Sequence, residues 1–336
     1  MGDAKKKKKH TGLIVVLILV IVLFIGCAAL SSGSSSSDEE RGTKEITQQT
    51  ETTAGESVGS TAESAQAPAE DSTAAETTAE TVAEETASSD TTIEEQTLFS
   101  AEGVTVIAKE YVTDTVFGDG IRLEIDNDSD KDVGVGCTAL IVNNYMISDL
   151  FAEEVAAGKK SNETLDLYSN ELESAGISNV GQIEIYFHLY DPDTYETTYT
   201  ADKVTIKTNH FDDMDTSPND DGQELYNQDG IRIVGRYVDE DDIWGTGIVL
   251  YLENKTDKNV VIQCDDMSIN GYMVTPYFSS TVYAGKMAVD EITILQSDLD
   301  ENGITSVDDV QLVFNISDAD TYMPITQSDK IDFTTK

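Results

Sequence analysis

The residue pattern with the most obvious chemistry is Asp298-Leu-Asp300-Glu-Asn302-Gly303, with Asp309 at the twelfth place. That spacing is the one a calcium loop uses to focus carboxylates on a single ion. The chain argues against that use. Asp309 stands where a longer bidentate Glu is needed, and the flanking residues Ile292, Ile294, Val310 and Leu312 alternate as strands do. A related stretch, Glu171-Leu172-Glu173-Ser174-Ala175-Gly176-Ile177, keeps the Leu, Gly and Ile but loses the ligands. Both stretches therefore read as a short helix capped by Asn170 or Ser297 and stopped by glycine. Asp126, Asp128, Asp130 and Asp132 also crowd together, and a polar hairpin loop accounts for them. No metal site is assigned.

Two Asp-x-Asp-Thr-Tyr elements follow the clearest strands, and they are the candidate surface or turn elements. They comprise Asp191, Asp193 and Tyr195, and Asp318, Asp320 and Tyr322. Such residues could hold a cation or a partner at a sandwich end. As structure, an Asp opening a turn bonds its own backbone and the Tyr packs on the sheet. Cys137 and Cys264 read as small buried thiols. His188 sits on the polar face of a strand, with Asn315 as its counterpart. No nucleophile is signposted beside a base, and no phosphate loop or zinc spacing occurs. No catalytic residue and no cofactor is assigned, and the inventory points to a non-enzymatic protein.

What positions these residues is a repeat. Residues 98–208 align with 225–335 at a constant offset of 127, without a gap and with roughly three positions in ten identical. Leu123 to Val133 matches Leu250 to Val260, Asn143-Asn144-Tyr145-Met146 matches Asn270-Gly271-Tyr272-Met273, and Ala157-Gly158-Lys159 matches Ala284-Gly285-Lys286. Period-two alternation marks the strands: Ile121, Leu123 and Ile125, and Ile183, Ile185, Phe187 and Leu189. In the second copy the same places hold Ile248, Leu250 and Leu252, and Val310, Leu312, Phe314 and Ile316. Asn143-Asn144 and Asn270-Gly271 predict two-residue hairpin turns. The apolar phase flips between Cys137 and Leu140, which predicts a bulge. About seven short strands per copy predict an all-β chain with two tandem immunoglobulin-like β-sandwiches. Each copy carries its own core strands and is expected to fold alone. An acidic linker, 209–224, joins them.

The Asn-x-Ser/Thr-Asp-Lys-x-Val strand end, followed by Ala-Gly-Lys before another strand, resembles uncharacterised tandem immunoglobulin-like domains. Those domains belong to anchored surface proteins and lipoproteins of clostridia and related Gram-positive bacteria. The resemblance covers both repeats and implies an extracytoplasmic sandwich module, with no catalytic residues carried over.

The first 97 residues differ in kind. A basic tail, 1–10, holds Lys5 to Lys9, and an uncharged apolar run spans 11–30. That run is long enough to cross a hydrocarbon core about 30 Å thick, and its lysine flank is expected to remain cytoplasmic. Phe24-Ile25-Gly26-Cys27 also resembles a lipobox, in which Cys27 would carry lipid after cleavage. Both readings place the rest of the chain outside a cell membrane. Residues 31–97 are Ser, Thr, Ala and Glu with one proline and no aromatic before residue 98, which predicts a disordered stalk. Of 336 residues, 64 are acidic and 21 basic, a net charge of −43. A surface so acidic repels phosphate backbones, so nucleic acid is excluded as a partner. The expected partners are the membrane, through the anchor, and an envelope or extracellular protein or glycan. The function expected is display of two binding modules, with an envelope spacer or sensor as the alternative and an envelope hydrolase less favoured.

Overall fold

A computed structural model describes residues 43–45, 91–240 and 244–335. The basic tail, the apolar run with Cys27 and nearly all of the stalk lie outside the described residues. Among those described, no helix is long and apolar enough to cross a membrane.

A short strand, β1 (Thr43–Glu45), precedes the repeats. The first repeat holds β2 (Gln96–Ala101), β3 (Val104–Thr115), β4 (Gly118–Asn127), β5 (Val133–Val142), β6 (Tyr145–Ile147), β7 (Ala152–Val155) and β8 (Lys159–Tyr168). After α1 (Ser169–Ala175) come β9 (Gln182–Tyr190), β10 (Thr197–Thr200) and β11 (Val204–Lys207). The second repeat holds β12 (Gln223–Gln228), β13 (Ile231–Asp239), β14 (Gly245–Asn254), β15 (Val260–Ile269), β16 (Tyr272–Met273), β17 (Pro276–Tyr277), β18 (Ser279–Val282) and β19 (Met287–Leu295). It ends with α2 (Gln296–Asn302), β20 (Asp309–Asp318), β21 (Pro324–Gln327) and β22 (Ile331–Thr334). Every element of the first repeat recurs at the same offset, and β17 is an addition.

Each repeat is a β-sandwich. One sheet runs β2-β3-β4-β8 in the first repeat and β12-β13-β14-β19 in the second. The other is built on the central pair β5-β9, or β15-β20, with split outer strands. The chain changes sheet after β4, returns at β8 and changes again at β9, which is an immunoglobulin-like sandwich connectivity. The strands exceed the seven expected because β6 and β7 share one side of β5, and β10 and β11 share one side of β9. Ile121, Leu123, Ile125, Ile183, Ile185 and Phe187 face inward with no exposure, as their alternation requires.

The bulge lies between Cys137 and Ala139, and between Asp265 and Ser268 in the second copy. Asn143, Asn144, Asn270 and Gly271 all have positive φ, the geometry of a primed hairpin turn. The helix caps differ from expectation. Tyr168 and Leu295 occupy the N-cap positions and no side chain caps either helix, because β8 and β19 run directly into them. The C-terminal glycines Gly176 and Gly303 are left-handed as expected, at φ 76° and 65°.

Two findings change the picture of separate modules. First, Thr43–Glu45, inside the stretch whose composition reads as stalk, pairs antiparallel with β13. Second, the repeats share a sheet: β19 pairs in parallel with β6, Met287 opposite Tyr145 and Ala288 opposite Met146. Val234, Tyr251 and Met287 of the second repeat belong to the core of the first, and Met146 packs on the core of the second. The linker is tied to this junction. The Tyr145 hydroxyl accepts from Asn219 N at 2.8 Å and donates to Ser217 O at 3.2 Å. The reason lies in β14. Val249 and Tyr251 replace Arg122 and Glu124 of β4, so the strand is apolar on both faces and both are covered.

Candidate functional site

The junction leaves a cleft of about 830 Å³ between the repeats. The first repeat contributes Ser148 and Asp149, which follow β6, and Glu171 on α1. The second contributes Tyr283, just after β18, Asp290 of β19, and Asp320 and Tyr322 beyond β20. Tyr186 of β9 meets Tyr283 edge to face across the junction, with ring centroids 5.0 Å apart.

The cleft is carboxylate-rich, and its charges are held unevenly. Burial pushes the Asp149 carboxyl up to about 6, with the neighbouring Glu171 charge adding to the effect. Burial likewise raises Asp290, although Ser280 and Glu291 N, the latter at 2.8 Å, donate to it. Glu171 Oε2 accepts from Ser148 N at 2.7 Å, which fixes the rim. Tyr322 is 77% exposed. Carboxyls and tyrosine faces together suit a ligand that presents hydroxyls or amines.

Beside the cleft lies an ion triad, centred on the buried Glu184, that sequence reasoning missed. Glu184 Oε2 bonds the Lys286 ammonium across the junction, and Glu184 Oε1 bonds Lys203 at 2.5 Å. Lys286 also donates to Asn144 Oδ1 at 3.0 Å. Burial pushes the Glu184 carboxyl up, but the two lysines outweigh it and hold it below the usual range. The sequence did carry a signal for the junction: Ile248-Val249-Leu250-Tyr251-Leu252 lacks the polar alternation of its counterpart.

The structure divides the paired Asp-x-Asp-Thr-Tyr elements. Both open Asx turns, Asp191 Oδ1 accepting from Asp193 N and Thr194 N at 2.9 and 3.0 Å, and Asp318 Oδ1 from Asp320 N and Thr321 N at 3.2 and 3.0 Å. Only the second element reaches the cleft, through Asp320 and Tyr322. In the first, Tyr195 stacks on Tyr190 with centroids 6.1 Å apart.

The calcium-like run is helical. Asp298, Asp300 and Asn302 lie in α2, where side chains two residues apart diverge around the axis. Asp298 accepts from Thr275 N at 3.1 Å, and Asp300 from Gln296 Nε2 at 2.7 Å. The aspartate-rich loop is organised by Asn127, which is fully buried. Its amide donates to Lys131 O and Val155 O at 2.8 Å each, and its oxygen accepts from Ser129 N and Oγ. Asn254 repeats this with Lys258 O, Val282 O and Thr256. Cys137 and Cys264 are free and buried, each thiol pushed up to about 12 chiefly by burial. His188 bonds Thr138 Oγ1 through Nδ1 at 2.9 Å, on the outer face of β9.

No protein-family model and no curated protein sequence matches the chain. Among solved structures, it is similar to the Salmonella enterica SafA pilin in complex with the SafB chaperone. Identity there is 10% and the TM-score 0.21, over 70% of this chain and 98% of the other. It is also similar to a protein of unknown function from Porphyromonas gingivalis W83. There identity is 12% and the TM-score 0.16, over 71% and 94% of the two chains. The sandwich assignment rests on the strand order above.

Proposed function

We propose that this is a membrane-anchored, extracytoplasmic surface protein whose two joined sandwiches display a non-enzymatic binding surface. The cleft is the observation that carries this reading. It is built by both repeats, opens to solvent and combines aromatic with hydrogen-bonding groups, as ligand sites at module interfaces do. The lysine-flanked apolar run and the acidic stalk supply the anchor and the reach. The resemblance to anchored clostridial surface proteins agrees with that arrangement. The ligand class that suits the lining is an envelope glycan or a protein segment rich in hydroxyls and amines.

The test is capture from intact envelope with the full chain and with a Tyr322→Ala, Asp149→Asn variant. Envelope material held by the wild type and lost from the variant supports the binding role. Equal recovery by both moves the function to a spacer that holds other components away from the membrane.

A further inference from the structure

The contact between the repeats is head to tail, the β6 edge of the first meeting the β19 edge of the second. A heterologous contact between equivalent modules leaves one head and one tail unused at the ends. Both are visible. The outer side of β16, the counterpart of β6, has no ladder partner among the described residues, and β8, the counterpart of β19, is paired only with β4. Tyr272 and Met273 stand where the first repeat has Tyr145 and Met146. Tyr145 is 1% exposed in the junction, whereas Tyr272 and Met273 are 52% and 66% exposed.

The two open faces differ from the closed one in opposite senses. On the head, exposed Asp265, Glu301, Asp308 and Asp309 replace Thr138, Ser174, Gly181 and Gln182. On the tail, Lys160 replaces Met287, beside Lys159, the counterpart of Lys286, while Arg122 and Glu124 replace the apolar Val249 and Tyr251, so this face is charged with a basic excess where the closed one is apolar. Lys160 already bridges Glu124 and Asp126 at 3.2 and 2.6 Å while staying 57% exposed, so its ammonium is free to exchange partners in solvent. At physiological salt, charges beyond about 8 Å are screened, so the charges at the contact, rather than the net charge of the chain, set its electrostatics.

We propose that the β16 edge docks the β8 edge of a second copy of this chain. The register is the one used within the chain, Tyr272 against Lys160 and Met273 against Ser161, so that copies line up head to tail. Such a contact puts Asp193 and Tyr195 in the places of Asp320 and Tyr322, while Pro276 stands for Asp149 and Ala156 for Tyr283, so the cleft it forms has a different lining.

Cysteine cross-linking of the purified full chain tests this. The Ser161→Cys, Met273→Cys double variant, treated with a short bis-maleimide, should give a ladder of dimers and higher species. The ladder should be absent from the wild type and from either single variant. It should collapse in 1 M salt, where the Debye length falls to about 3 Å, and on adding Tyr272→Lys, a surface change that leaves the melting temperature in place. Absence of the ladder in the double variant overturns the proposal. So does a dimer from Met273→Cys alone, which means a symmetric head-to-head contact. A product of the double variant in which the thiol introduced at position 273 is joined to any position other than 161 overturns it as well.

Discussion

Asn127 and Asn254 each satisfy a loop with four hydrogen bonds from a position sealed from water. Replacing either by alanine strands two carbonyls and a backbone amide, which should cost about 3 kcal/mol by denaturant unfolding. The two substitutions should cost nearly the same, because the partners are equivalent. Their positions were legible as the repeat's most persistent letters, but their role was not, since Lys131 O and Val155 O are contacts that a side-chain pattern does not record. Asp149 gives a different signature. Its carboxyl is raised in the folded chain to about 6 from an ordinary 3.8, so the folded state holds the extra proton. Stability should therefore fall as pH rises between about 4 and 6. Asp149→Asn should remove that part of the slope in melting curves taken across the range, and an unchanged slope would assign it to another group.

At the scale of elements, the triad of Glu184, Lys203 and Lys286 clamps β9 to the start of β19. Breaking a buried pair by removing one partner leaves an uncompensated charge, so Glu184→Leu should destabilise the joined repeats by about 3 kcal/mol. Glu184 is held below its ordinary value of 4.5, so its contribution is complete above that pH and is lost as the pH falls further. In urea titrations at pH 7 and pH 3 the gap between wild type and variant should shrink at the acid end. The strands, the bulges and the Asn turns could be read from alternation and turn chemistry, because those are local signals. The direct strand-to-helix entry at Tyr168 and Leu295 could not, because continuing backbone geometry, not a side-chain cap, starts those helices. The junction was half legible. Val249, Tyr251 and Met287 are apolar where their counterparts are charged, yet the partner they cover is named only by the fold.

Across the whole molecule, the repeats are two cores with one shared boundary. Each repeat was expected to fold alone, and each does carry a sandwich core of its own. Separation, however, bares Tyr145, Tyr251 and Met287. Side chains of that size contribute about 1.5–3 kcal/mol each when fully buried. Residues 91–208 and 223–335 made separately should therefore melt well below the joined pair in scanning calorimetry. Equal melting temperatures would mean that the junction contributes nothing.

The linker fastened by Tyr145 has a mechanical meaning. Load drawn through the chain between residues 208 and 223 meets the parallel β6–β19 pairing and the Tyr145 bonds before it reaches either core. Fourteen residues released from that fastening span up to roughly 50 Å when extended. Stretching the molecule from its two ends should thus show an early, low-force lengthening of a few tens of ångströms, ahead of the unfolding of either sandwich. The step should vanish when an engineered disulfide pins β6 to β19. The fold stores slack, and a chain pulled from its two ends would yield there first and refasten when the pull ends.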